Sequence, residues 1–235
     1  MKPRKKANIS KYEKKILVTV TNPKSPISEQ YRTIRTNIQF SMIDKPFKTI
    51  ACTSPSPGEG KSTTIANLAV TFAGQGQKVL LIDADLRKPT LHQIMEVDNQ
   101  KGLTTLIAKS TNITEAILAT KIKNLYLLPS GPIPPNPSEL LGSKMLKILL
   151  SGLSKKFDLI LFDTPPILAV TDAQILGSSC DGVILVLKSG QTERKNLVKA
   201  KELLDRVQVN VIGSVINAAT KSVYNDDYYY VEGSD

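Results

Sequence analysis

An apolar run stops at a loop of two glycines and two prolines, with Lys-Ser-Thr-Thr directly behind it. No other feature constrains this 235-residue chain as much. Lys48–Thr53 reads as a strand, Ser54–Gly60 (SPSPGEG) as a loop, and the stretch from Lys61 to about Ala73 as a helix. A strand that turns through glycines into a helix leaves the first backbone N–H groups of that helix unpaired and pointing into the loop. Those groups and the helix dipole attract anionic oxygens. The cradle here comprises Pro57, Gly58, Glu59, Gly60, Lys61, Ser62 and Thr63. In such a cradle a lysine reaches the outer phosphates, and the hydroxyl that follows it can ligate Mg²⁺. The match to G-x-x-x-x-G-K-[ST] is incomplete, because Pro55 stands where the first glycine belongs.

Two further apolar runs end in carboxylates. Lys78–Asp83 is a buried strand followed by Asp85, and Phe157–Asp163 is another. Gly182–Lys188, Asn124–Leu128 and Val209–Asn217 complete the strand candidates. Helical stretches lie between them: pieces within Leu91–Thr120 broken at Gly102 and 110–112, Ser138 to about Lys155, and Thr192–Val207. Apolar strands alternating with helices predict an α/β fold, a mostly parallel central sheet with helices on both faces. The C-terminal strand ends of such a sheet share one edge, so Asp83, Asp85 and Asp163 should converge on the phosphate loop. Three carboxylates beside a phosphate site need cations. They can hold Mg²⁺ directly or through water, and one can accept a proton. Each aspartate taken alone also reads as a helix cap or turn residue.

Before this body, Ile16–Val20 is β-like, and Ser25-Pro26 fits the start of a helix running to about Met42. Glu29, Arg32 and Arg35 fall three apart on one face of that helix, which suits either an intrahelical ion pair or a subunit contact.

The net charge of +10 is uneven. Residues 1–15 carry seven basic side chains against Glu13, a balance of +6, while the remaining 220 residues hold 24 basic and 20 acidic, a balance of +4. The body is therefore too nearly neutral to require nucleic acid. The arm suits an anionic membrane face, an acidic partner or plain solvation. A lone histidine, His92, argues against a Ser-His-Asp triad or a His-rich metal site, and Cys52 and Cys180 form no CxxC metal or redox pair. No apolar run approaches the ~20 residues of a membrane span, and Ile16–Val20 is too short for a signal-peptide core.

The set PGEGKST, LLIDADLRKP and LILFDTPP resembles the bacterial tyrosine kinases that control capsule and exopolysaccharide synthesis. Glu29-Gln-Tyr-Arg32-Thr-Ile-Arg35 and Gly131–Leu141 (GPIPPNPSELL) resemble two further stretches of that family. The resemblance implies a P-loop NTPase fold of the deviant-Walker (MinD/ParA-like) type, ATP and Mg²⁺ as cofactors, and phosphoryl transfer to tyrosine. Lys61 and Ser62 would hold phosphate and metal. Asp83 would be the base or orienter, while Asp85 and Asp163 would support Mg²⁺. Glu29, Arg32 and Arg35 would form a homo-oligomeric interface that closes a ring. The resemblance further implies a separately encoded transmembrane activator, protein-tyrosine substrates, an opposing tyrosine phosphatase and no specific nucleic acid. The implied location is cytoplasmic, recruited to the inner face of the membrane through the activator.

Residues 16–217 read as the kinase domain and 218–235 as a flexible tail. That tail holds Tyr224, Tyr228, Tyr229 and Tyr230 among Asn225, Asp226 and Asp227. It reads either as an aromatic end packed on the body or as a phosphorylated tail. From Ala218 to Tyr230 it can span roughly 40 Å, enough to reach a neighbour's site. The rival reading is a regulatory ATPase of the chromosome-partitioning or division-site type. Its loop carries an additional lysine, and Ser56 occupies that position here.

Overall fold

The chain was characterised as a computed structural model that describes residues 17–42 and 46–219. The basic arm over 1–15 and the four tail tyrosines lie outside the described residues. In chain order the elements are α1 (Val18–Thr21), α2 (Pro26–Phe40), β1 (Thr49–Thr53), α3 (Lys61–Ala73), β2 (Val79–Asp83), α4 (Leu91–Ile94), α5 (Leu103–Ile107) and α6 (Ile113–Ala116). There follow β3 (Leu118–Ala119), β4 (Leu125–Leu128), α7 (Pro137–Leu141), α8 (Lys144–Leu153), β5 (Leu159–Asp163), α9 (Asp172–Gly177), β6 (Gly182–Lys188), α10 (Arg194–Arg206) and β7 (Val211–Asn217).

The strands form a seven-stranded sheet in the order β3-β4-β2-β5-β1-β6-β7, parallel except for the short edge strand β3. Side chains alternate across the sheet. Leu80 and Ile82 join a core under α5 to α10, whereas Val79 and Leu81 join a second core under α1 to α4. Burial on both faces is why the strands read as continuous apolar runs. Two of them, β2 and β5, end side by side, with Asp83 in register with Asp163. Both cysteines are free thiols, Cys52 buried and Cys180 partly buried.

Several local readings are corrected. Val18–Thr21 is a helical turn rather than a strand, because the Thr19 N–H and hydroxyl both bond to Asn67 Oδ1 on α3, at 3.1 and 2.8 Å. The helix expected from Ser138 to Lys155 is two helices. Gly142 ends α7, and the Ser143 hydroxyl restarts the chain by capping Leu146 N–H at 3.2 Å. Helix α9 and strand β3 carried no sequence signal, since six and two residues are too few for a periodicity to register. By contrast, α2 begins as its residues indicate, with the Ser25 hydroxyl accepting from Ser28 N–H and Pro26 in the first turn.

Candidate active site

Strand β1 delivers the chain to the phosphate loop at the C-terminal edge of the sheet. Gly58 (φ 78°) and Gly60 (φ 92°) adopt the left-handed region. Gly60 has a second reason to lack a side chain, because a Cβ there would sit 2.0 Å from Asn217 Nδ2. Glu59, expected among the cradle residues, turns its buried side chain inward instead of lining the cavity. Its carboxylate accepts from Ser56 N–H at 3.0 Å and from the Thr192 hydroxyl at 2.6 Å. The Glu59 carbonyl accepts from Asn217 Nδ2 at 3.0 Å. The loop is thus tied to the β6–α10 connection and to the end of β7. Thr192 and Asn217 lie far away in sequence with no motif, so only the closed sheet reveals them.

Lys61 opens α3 and stands among the expected acids. Its Nζ lies 3.0 Å from Asp85 Oδ2, 3.3 Å from Ser62 Oγ and 3.7 Å from Asp163 Oδ1. Burial alone would depress the Lys61 ammonium, but the charges of Asp163 and Asp85 outweigh it and hold its pKa above the ordinary value. Asp163 is fully buried. Burial pushes its carboxyl up to about 6, against the opposing pull of Lys61 and the Ser62 hydroxyl. Asp83 is raised well above the usual carboxylate range, first by burial and then by the charge of Asp163 beside it. Its Oδ2 accepts from Thr90 N–H and Leu91 N–H, at 3.0 and 2.9 Å, and so caps α4. Its Oδ1 is sealed from solvent with no hydrogen-bond partner, and neither oxygen of Asp163 has a well-formed one.

Asp85 and Asp163 share the Lys61 ammonium, Asp83 lies in register beside Asp163, and three buried oxygens of Asp83 and Asp163 lack hydrogen bonds. That donor set suits a hard divalent cation. Among the described residues no three acidic, His or Cys side chains are arranged to hold a metal by themselves. Phosphate oxygens of a nucleotide would have to complete the shell.

A cavity of about 540 Å³ opens over this cluster, lined by the phosphate loop, by Asp85–Thr90 and by the loop after β5. Asp85 faces it, whereas Asp83 and Asp163 are fully buried and do not line it. Pro165, Pro166, Ala169, Val170 and Ile94 give it an apolar wall. Pro165 and Pro166 belong to the LILFDTPP stretch, whereas Ala169, Val170 and Ile94 carry no sequence signal for such a wall.

Of the expected interface residues, Arg32 pairs with Glu29 on its own helix and donates to the Pro23 carbonyl at 2.6 Å. Arg35 Nη1 donates to the Thr71 carbonyl of α3 at 3.1 Å, and so helps dock α2 within the subunit.

Comparison with known proteins agrees with this geometry. Residues 47–214 match the family described as an AAA domain. The chain is 51% identical over 214 residues to the tyrosine-protein kinase YwqD of Bacillus subtilis, covering 91% of this chain and 90% of that protein. It superposes on the crystal structure of the chimerical protein CapA2B2 with a TM-score of 0.84 at 40% identity, covering 86% and 89% of the two chains. The kinase domain of the Escherichia coli tyrosine kinase ETK gives 0.82 at 32% identity, covering 91% and 84%. The cell division ATPase MinD of Pyrococcus furiosus shares the fold more distantly, at 0.62 and 30% identity over 72% and 71%.

Proposed function

The chain belongs to the bacterial tyrosine-protein kinase family, and we propose that it transfers the γ-phosphoryl group of ATP to the tyrosines of its own tail and acts in capsule or exopolysaccharide synthesis. The observation that carries the site assignment is Lys61, held between Asp85 and Asp163 at the mouth of the phosphate loop. An ammonium so placed can exchange its carboxylate partners for the β- and γ-phosphates when nucleotide enters. The backbone of 57–63 cradles those phosphates. Ser62, Asp85 and Asp163 are the residues that would hold Mg²⁺. The metal, when bound, neutralises charge across the phosphate oxygens.

The tyrosine oxygen forms a bond to the γ-phosphorus as the bridging P–O bond breaks. The phenolic proton, with a pKa near ~10, passes late in transfer to Asp83. Asp83 offers an Oδ1 without a hydrogen bond and a proton affinity raised by burial, and the phenol reaches it only when entry of substrate uncovers that buried oxygen. Most of the rate derives from alignment and charge neutralisation. The apolar wall of Pro165, Pro166 and Val170 fits a phenol ring.

The tail is rooted at this edge of the sheet, because Asn217 bonds to the loop at Glu59. Thirteen residues from Ala218 to Tyr230 carry the tyrosines far enough to reach a neighbouring subunit. In this reading Glu29, Arg32 and Arg35 face a second copy and assemble a homo-oligomer, and phosphate on the tail loosens it by repulsion. Recruitment by a membrane activator and reversal by a tyrosine phosphatase complete the proposal. Among the described residues no helix is long and apolar enough to cross a membrane.

Mixing two inactive proteins tests the transfer between subunits. One carries Lys61→Met with an intact tail, and the other carries Phe at Tyr224, Tyr228, Tyr229 and Tyr230. Phosphotyrosine should form only in the mixture and only on the Lys61→Met chain. Its absence, with wild type active, would place the transfer within one chain.

A further inference from the structure

Asp172 is a buried carboxylate that the transfer chemistry above does not use. It begins α9 and is fully sealed from solvent. Arg87 grips it bidentately, Nε to Oδ2 at 2.9 Å and Nη2 to Oδ1 at 3.1 Å. The Ser138 hydroxyl donates to the same Oδ1 at 2.7 Å and accepts from Arg87 Nη2 at 3.0 Å. The three groups close a triangle between three connections at the same sheet edge, those after β2, β4 and β5. A carboxylate this deep is stable only with its partners in place, and a planar guanidinium fixes direction as well as charge.

The triangle bears on the reacting groups through Arg87. Arg87 lies two residues beyond Asp85, and the Asp85 turn is closed by Lys88 N–H donating to Asp85 Oδ1 at 3.0 Å. Asp85 Oδ2 in turn holds Lys61. The turn therefore has one anchor in the phosphate loop and another in Asp172. The first is given up when nucleotide draws Lys61 away, which leaves the second to keep Asp85 in place. The PNPSELL stretch then has a use, to deliver Ser138 at the start of α7.

We propose that Asp172, oriented by Ser138, is a positioning residue for tyrosine transfer: through Arg87 it holds the Asp85 turn in register with the bound phosphates. The proposal rests on the reading of Asp85 as part of the transfer site. Arg87 lines the cavity, but Asp172 and Ser138 do not, and their bonds run to Arg87 and to each other, so replacing either should separate nucleotide affinity from rate.

The test uses the full chain carrying Asp172→Asn, Ser138→Ala, or Asp172→Asn with Arg87→Ala. ADP affinity, melting temperature and phosphotyrosine formation are measured on each. Asp172→Asn should lower kcat by about tenfold while ADP affinity stays within about twofold. Adding Arg87→Ala should cost less than about twofold more, since the two act as one unit. Ser138→Ala keeps the ion pair and guards against a folding defect. It should lower kcat about threefold without a shift in melting temperature. Unchanged kcat in Ser138→Ala and in folded Asp172→Asn would overturn the proposal, as would a loss of rate matched by an equal loss of ADP affinity. If wild type itself formed no phosphotyrosine, the kinase reading would fail and the proposal with it. Active wild type with unaffected variants would remove the positioning role alone.

Discussion

At the scale of single residues the site is charged against its own stability. Asp83 and Asp163 sit in register on adjacent strands, both buried, with Lys61 as the nearest cation. Asp83 is raised by burial and by Asp163, so the folded state binds a proton more tightly there than the unfolded chain. Stability must then fall as pH climbs above the ordinary carboxylate value of 3.8 towards the raised one, because ν for the native state exceeds ν for the unfolded state across that interval. An asparagine escapes this. In urea unfolding of the nucleotide-free protein, Asp83→Asn should be more stable than wild type by about 1–3 kcal/mol at pH 8. The gap should close towards pH 4. A gap independent of pH would contradict the electrostatic origin. Lys61→Met moves the other way. It strands the buried carboxylates without their counter-ion and should cost the nucleotide-free protein about 3 kcal/mol near neutral pH. The kinase-dead control therefore needs its own melting curve.

At the scale of elements, the P-loop is held by partners that arrive late in the chain. The Thr192 hydroxyl donates to Glu59 Oε1 while accepting from Lys188 N–H at 2.8 Å. Thr192→Val keeps the shape and removes the bond, leaving a buried carboxylate oxygen unpaired. Titration calorimetry should show ADP binding weakened by about three- to tenfold. Affinity within twofold of wild type would mean that the latch does not shape the loop. Here the limit of the sequence is visible. Helix α3 and strands β2, β5 and β6 were legible because a buried strand between two helical layers must be a continuous apolar run, and because Ser25, Gly58 and Gly60 carry local backbone rules. The convergence of Lys61, Asp85 and Asp163 was legible because parallel strands end on one edge. Thr192, Asn217 and Asp172 were not, because each acts only after residues 80 or more positions away have folded against it. The turn at Val18–Thr21 likewise depends on a distant partner, since Asn67, 48 residues on, overrules its β-branched residues.

At the scale of the whole molecule, the net charge of +10 divides into +6 over residues 1–15 and +4 over the remaining 220. The body's excess is modest beside a triphosphate, so the protein's partners are set by its edges rather than by its overall field. In the proposed assembly one such edge is the outer face of α2. Arg35 is committed to Thr71 inside the subunit, so replacing it would loosen α2 itself. Arg32 is the cleaner probe, since its bonds to Glu29 and Pro23 lie on the surface. In light scattering, Arg32→Glu should reduce a multi-subunit wild type to monomer with its melting temperature nearly unchanged. Equal masses would move the interface elsewhere. Above all, the proposed phosphotransferase must be told apart from an ATP-driven switch. Incubation with γ-labelled ATP and Mg²⁺ decides that directly. Label should appear in phosphotyrosine at Tyr224–Tyr230 of wild type and be absent from folded Lys61→Met. Free labelled phosphate with unlabelled protein would contradict it.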